Sequence, residues 1–431
     1  MHLRLANPAA RLLLVLFAFL LVLALSFFSI RNALAAYCAG LATSAGYERA
    51  VQLEPGNYEN WYLLGHYWQY SLNEPDPARA IDDYRVALQL NPRFSDAWLD
   101  LATLYEFEDR LPEARDAFLA AKRAYPLSAE VSWRYGNFLL RQGDVPQAFA
   151  EMRRAMYVDP SRSAEAFSRC WRVNPDIHAI LDEVIPPNRD AYLDIIRELS
   201  HAHQLEPALV VWDRLVSIHP TLRVVDAIPF ADALLQNHQF DDTLRVWNEA
   251  VRLSSEPPTG DPRGSAMWDG GFETDVHGGA LAWFFSPPPR GAKINLDTQE
   301  KRSGRASLRL DFDGKHNVSF EAVCENAIVH PATPYLFSAW VHTQRLTTDQ
   351  GIRFRLIWTE ASRHNAIETP DVHGSEPWTQ VQVPWTSPAD VQQLRVCVAR
   401  DTSGKVDSQI QGTAWVDDVS LVPQSPVSSK P

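Results

Sequence analysis

The sequence predicts a multidomain chain of α plus β class: one N-terminal transmembrane helix, an α-α superhelical solenoid, and a C-terminal antiparallel β-sandwich. Three observations predict it. Residues 12–30 carry no charge. Prolines 92, 126 and 160 recur at intervals of 34 residues, each closing a similar helical phrase. Beyond residue 265 the apolar period changes from that of a helix to strict alternation.

The first element is the apolar run LLLVLFAFLLVLALSFFSI, flanked by Arg11 and Arg31. A helix of about 20 such residues spans a bilayer core. A secretory signal would instead hold an apolar stretch of about 7–15 residues and an A-x-A cleavage site. Ala33-Leu34-Ala35 supplies such a site, but the run is too long and Arg31 interrupts it, so the reading is an uncleaved anchor. Tyr37 before Cys38 argues against a lipoprotein signal. His2, Arg4 and Arg11 precede the span, and the positive-inside rule then puts the N-terminus in the cytoplasm.

The second element is the repeat. ALQLNP, AAKRAYP and AMYVDP end at Pro92, Pro126 and Pro160; AVQLEP ends at Pro55 and LVSIHP at Pro220. Inside the phrases, Trp98, Leu101, Ala102, Tyr105, Ala114, Phe118 and Ala121 recur as Trp61, Leu64, Gly65, Trp68, Ala80, Tyr84 and Ala87, after an insertion near Asn73. Tyr135, Gly136, Ala148 and Met152 continue the series. Small residues fall where two helices must approach closely, and large ones fill the space between neighbouring pairs. One pair cannot bury its own apolar face, so the pairs must stack. Residues 161–189 fit the period poorly. The partner expected for the helix over 43–53 overlaps residues 27–38, which predicts a membrane helix running on into the first pair.

With its 34-residue period this array resembles the tetratricopeptide repeat family. The resemblance implies a concave groove, lined by the first helix of each pair, that holds a protein partner. By position its lining is Tyr62, His66, Trp133, Asn137 and Arg197. The competing reading is that Trp133 and Tyr62 pack against neighbouring units.

Residues 256–265 form a Pro/Gly-rich linker. Segments such as ASLRLDF, YLFSAWV, GIRFRLIW, TQVQVPW, LRVCVA and AWVDDVSL then alternate as strands do. Trp268-Asp-Gly-Gly-Phe-Glu273, Ser303-Gly-Arg-Ala-Ser-Leu308, Pro334–Trp340, Pro377-Trp378 and Val416-Asp-Asp-Val-Ser-Leu421 occur in the order found in jelly-roll carbohydrate-binding modules, which this domain resembles. The resemblance implies a structural calcium at Glu273 and Asp417. Alternation places Asp417 on one face with Val419 and Leu421, pointing inward; its alternative role is to accept backbone N–H bonds or to face a loop. The resemblance also implies a glycan ligand. Trp340 and His342 share one strand face, and Arg353 and Arg355, on what is read as the neighbouring strand, complete a polar and aromatic surface. Trp378 and Trp385 are read as packing residues.

The predicted organisation is therefore a cytoplasmic N-terminus (1–11), the transmembrane helix (12–30), the helical array (36–255), the linker (256–265), the sandwich (266–424) and a disordered tail (425–431). The chain has 431 residues and 46% hydrophobic content, ample for these cores. Its net charge of −13, without a basic cluster, argues against nucleic acid, which needs Lys and Arg to displace counterions. None of the four cysteines forms a C-x-x-C pair, which argues against a thiolate metal site. Cys324 and Cys397 either pair in an oxidising compartment or stand as two small buried hydrophobes. His201 and His203 diverge on a helix, and G-x-S-x-G, H-E-x-x-H and phosphate-cradling glycine loops do not occur.

These readings converge on a non-catalytic scaffold in a bacterial inner membrane with its bulk in the periplasm. It would hold a protein partner and a polysaccharide in envelope or exopolysaccharide assembly. The alternatives are a purely structural protein whose sandwich binds no sugar, and an accessory subunit of a cell-wall enzyme.

Overall fold

A single helix, α1 (Pro8–Gly40), carries the whole apolar run and continues past it. The structure is a computed structural model that describes residues 8–254, 264–275, 278–360 and 362–424. Residues 1–7 of the predicted cytoplasmic N-terminus, most of the predicted linker and all of the predicted tail lie outside the described residues. Leu12 to Ile30 are exposed on every side of α1, whereas Ala35 is fully buried against α2 (Ser44–Leu53). The last turns of α1 are thus the first helix of the first hairpin. Gly46 sits so close to this helix that a Cβ there would lie 2.5 Å from the Cys38 carbonyl oxygen.

The helices that follow pair in order: α3 (Tyr58–Tyr70) with α4 (Pro77–Leu90), α5 (Ser95–Phe107) with α6 (Leu111–Ala124), and α7 (Ala129–Arg141) with α8 (Val145–Val158). Each second helix opens with Pro in its first turn, where the missing N–H has no intrahelical acceptor to lose. Each ends just before the repeating Pro92, Pro126 or Pro160, which biases the residue before it away from helix. Asp109 and Gly143 turn two of the hairpins with φ of 55° and 75°, equivalent left-handed positions that stop the first helix. A Cβ on Gly65 would stand 3.0 Å from the Tyr84 ring, and one on Gly136 would stand 3.3 Å from Met152, so small residues are required at the crossings. Trp61 and Trp98 donate Nε1–H to the Pro55 and Pro92 carbonyls at 2.9 and 3.0 Å, one contact repeated in two units.

The period decays after Pro160. A short 3₁₀ turn leads to α9 (Ser163–Val173) and to α10 (Ile177–Glu183), only seven residues long. The chain divides into two compact units, Met1–Pro186 and Pro187–Pro431. The helices α11 (Arg189–His201), α12 (Leu205–Ser217), α13 (Val224–Gln236) and α14 (Phe240–Leu253) therefore fall with the sandwich in the second unit. There Trp247 of α14 meets Trp268 edge-on at 5.1 Å, and Asp232 of α13 accepts the Ala280 N–H.

The sandwich has ten described strands: β1 (Phe284–Phe285), β2 (Ala292–Asp297), β3 (Ser307–Asp313), β4 (Phe320–Ile328), β5 (Pro334–Leu346), β6 (Arg353–Glu360), β7 (Arg363–Glu368), β8 (Gly374–Thr386), β9 (Gln393–Arg400) and β10 (Gln411–Pro423). They form two antiparallel sheets of five, ordered β1-β4-β9-β6-β7 and β2-β3-β10-β5-β8. Leu308, Leu310, Phe337, Val341, Phe354, Leu356, Val396 and Val398 fill the space between them. Cys324 of β4 stands opposite Cys397 of β9, and the two form a disulfide. Of the two readings open for these cysteines, pairing is therefore the one the register favours.

Candidate functional site

Two surfaces gather some of the residues singled out by sequence. The first lies on the repeat array of the first unit. First helices of successive pairs approach one another, α3 with α5, α5 with α7 and α7 with α9, and so line its inner side. Tyr62 donates its hydroxyl to Asp100 at 3.0 Å, and its ring meets Phe94 at 4.8 Å. Burial, and then the Asp100 carboxylate, pushes the Tyr62 hydroxyl above the usual tyrosine range. Asp100 also takes an Arg134 N–H at 3.0 Å, and the same guanidinium reaches Thr103 at 2.7 Å. Asp100 and Arg134 occupy one repeat position in successive pairs, which makes the contact a product of the period itself. Neither was singled out by sequence, although that shared position was the available signal.

Trp133 and Asn137 are not open groove residues. Trp133 is buried, with Arg162 and Arg169 over its ring at 5.5 and 5.1 Å. Asn137 donates to the Trp133 carbonyl at 2.8 Å and accepts from Arg169 at 2.8 Å, tying α7 to α9. The packing reading holds for Trp133, and Asn137 is covered with it, because Arg162 and Arg169, from the segment leading into and along α9, lie over them. Tyr62 is half-buried and also serves packing. His66 is exposed, with its ring 4.5 Å from Tyr70, which is itself 52% exposed. Arg197 lies on α11 in the other compact unit, where it pairs with Asp194 at 2.9 Å.

The second surface is the outer face of the sheet containing β5 and β10. Register sets Trp340 opposite Asp417 and His342 opposite Trp415, so these four side chains share a face. His342 stacks on Trp415 at 5.0 Å and lies 5.7 Å from Trp378, while its Nδ1 lies 2.7 Å from the Glu376 carbonyl oxygen. The Arg302 guanidinium covers the Trp340 ring at 3.8 Å and pairs with Asp418. Trp415 donates Nε1–H to Asp297 at 2.9 Å, a bond that helps hold the Asp297 carboxyl near a pKa of about 2 against the cost of burial. Trp385 is buried against Tyr335 and Trp358, a packing residue as read from sequence.

Arg353 and Arg355 do not join this surface. Their strand β6 pairs with β7 and β9 in the opposite sheet, because the chain crosses the sandwich between β5 and β6. There Arg353 binds Glu368 at 3.0 Å and Asp401 at 3.3 Å, and Arg355 reaches Glu368, Asp401 and Glu321. Alternation along a strand fixes its two faces but not the sheet that receives it.

Asp417 also differs from its predicted placement. A bulge between Asp417 and Ser420 inserts one residue, so Leu421 faces the core opposite Phe337 while Asp417 shares the outer face with Trp340. It is nonetheless fully buried, under the loop between β2 and β3. One oxygen accepts the N–H groups of Arg302 and Ser303 at 2.8 and 3.1 Å, and the other accepts Asp418 N–H at 2.7 Å. Glu273 grips the same loop through the Arg305 N–H at 2.8 Å. Gly304 between them has φ of +58°, and a Cβ there would meet the Glu273 carboxylate at 1.7 Å. Both carboxylates are thus engaged by N–H donors, whereas a calcium site needs oxygen donors turned toward one point. Among the described residues no three His, Cys, Asp or Glu side chains gather where they could hold a metal. The donor set around Glu273 and Asp417 fits a stapled loop and does not fit calcium.

Burial raises the Asp417 carboxyl from 3.8 to about 6, with the Arg302 and Ser303 N–H bonds opposing and Asp418 assisting. A carboxyl raised in the folded state holds its proton more tightly folded than unfolded, so its contribution to stability declines as pH climbs through that interval. Wild-type protein should therefore lose more thermal stability than Asp417→Asn between pH 4 and pH 6, read as melting temperature at each pH. Equal losses in the two proteins would contradict this assignment.

Both architectures are now in place: stacked helix hairpins with a 34-residue period, and an antiparallel sandwich of two five-stranded sheets. Residues 73–163 carry tetratricopeptide repeats. The family model for the tetratricopeptide repeat matches residues 73–129 and 109–163. Among curated proteins, the general transcriptional corepressor ssn6 of Schizosaccharomyces pombe is 33% identical over 145 residues, 29% of this chain and 13% of that protein. This chain therefore spans a small part of that relative. Among solved structures, YrrB, described as a TPR protein with an unusual peptide-binding site, is 14% identical with a TM-score of 0.26, covering 49% of this chain and 93% of YrrB. A xylan-binding domain from CBM 22 is 13% identical with a TM-score of 0.25, covering 33% of this chain and 86% of that domain.

Proposed function

We propose that this chain is a membrane-anchored, non-catalytic scaffold that holds a protein partner on the inner face of its repeat array and a glycan on its sandwich, in envelope or exopolysaccharide assembly. One observation carries the reading: α1 joins a stretch exposed and apolar on every side to a stretch packed as half of the first hairpin. In water that exposed stretch is unfavourable, and a bilayer supplies the missing apolar surroundings. α1 is long and apolar enough to cross a membrane. The Cys324–Cys397 disulfide supports an oxidising compartment for the sandwich, hence a periplasmic bulk and a cytoplasmic N-terminus. On the inner face of the array Tyr62, Asp100 and Arg134 pair with one another, while His66 is exposed and open to a partner.

The test is the fate of α1 in cells. The mature chain should retain residues 12–30, stay with the membrane through alkaline carbonate washing, and be digested by protease from the periplasmic side alone. A mature N-terminus at Ala36 would overturn the anchor, since cleavage there removes the partner that buries α2. A spacer role for the sheet holding β5 is favoured by one observation: Arg302 covers Trp340, and His342 lies between two tryptophans. An accessory role beside a cell-wall enzyme differs only in the partner.

A further inference from the structure

Within the second unit, a cavity of about 580 Å³ opens between the α13–α14 turn and the sandwich. This volume lies in the range of small-molecule sites, roughly 300–1,000 Å³. The helical side supplies His238 and Phe240, whose rings are 5.7 Å apart. The sandwich supplies Gln392, Gln393, Arg395 and Asp390. Arg395 differs from the arginines beside it in the same sheet. Arg353 and Arg355 are each paired with carboxylates, whereas Arg395 touches the Phe284 ring at 5.5 Å and Asn326 at 3.4 Å, with no carboxylate partner among the described residues. Its side chain is exposed, as are those of His238, Asp390 and Gln392.

We propose that this cavity is a saccharide-binding site built jointly by the last helical hairpin and the sandwich. The proposal rests on the glycan reading above and gives it a different location from the Trp340 face. A sugar ring presents C–H faces, which stack on aromatic rings, and hydroxyls, which bridge amides, a guanidinium and a carboxylate. Phe240 and His238 offer the first kind of contact; Gln392, Gln393, Arg395 and Asp390 offer the second. Arg395 and Asp390 bring one positive and one negative charge, so hydroxyl pairs can be held without a net charge on the ligand. The helices then act as one wall of a sugar site and not only as a protein-binding array.

The experiment is calorimetric titration of the full chain in detergent with xylohexaose, cellohexaose, chitohexaose and a hexauronate. At least one should bind, and Arg395→Gln and His238→Gly should each weaken it by about tenfold or more, the loss expected for one charge-assisted or stacking contact. His238 has φ of 59°, so glycine removes the ring without straining the turn. Trp340→Ala should leave affinity unchanged. Binding that survives both cavity variants but fails in Trp340→Ala would overturn this site and leave the glycan reading intact. No binding by any of the four sugars would overturn both.

Discussion

Replacing Cys324 with Ser should lower the stability of the sandwich by about 4 kcal/mol, the loop-entropy estimate for a bridge of this span. The two cysteines are separated by 73 residues, and they close a loop that runs through both sheets. Without the bridge, the unfolded chain regains that loop's freedom while the folded pair loses little packing, since Cys324 and Cys397 are buried among strands already joined by β4–β9 hydrogen bonds. Cys170 does not compete for pairing: burial pushes its thiol up to about 12, so it stays protonated and inert. Denaturant unfolding of the full chain, with and without reductant, checks this. Reductant should destabilise the wild-type sandwich and leave Cys324→Ser unchanged; equal stability of the two under oxidising conditions would contradict it.

Phe118→Ala should cost about 3–5 kcal/mol, the usual penalty for removing a buried aromatic ring. Phe118 is 1% exposed on α6 and packs on Tyr135 and Phe138 of the next pair, at 5.5 and 5.1 Å. The loss falls on the joint between units, where a stacked array keeps its stability. Phe107, 78% exposed at the end of α5, is the control, and its replacement by Ala should change stability by about 0.5 kcal/mol or less. Urea melts followed by far-ultraviolet circular dichroism separate the two. A Phe118 variant as stable as the Phe107 variant would mean the helices do not stack in this register.

The helical part was readable because its information is local. Proline spacing, small residues at crossings and the apolar face all repeat within one period, and the same logic extended α1 into the first hairpin. The sandwich was readable only in part. Alternation identified strands and placed Trp340 with His342 correctly. It could not tell that β6 joins the opposite sheet, because strand pairing is set by long-range topology. It also misplaced Asp417, because a one-residue bulge reverses parity without leaving a local mark other than the Asp-Asp pair. Trp133 and Asn137 looked available because the period gives the helix but not what the irregular α9 lays over it. Trp415 and Arg302, which cover His342 and Trp340, come from distant segments and carry no signature that pairs them in sequence.

The scaffold account depends on the inner face of the array being a working surface. A photocrosslinking amino acid at His66, exposed on α3, tests it most directly in intact membranes, with Asp116 on the second helix α6 as the comparison. The account predicts one discrete protein adduct from position 66 and none from position 116. Adducts of the same kind from both positions, or from neither, would contradict it.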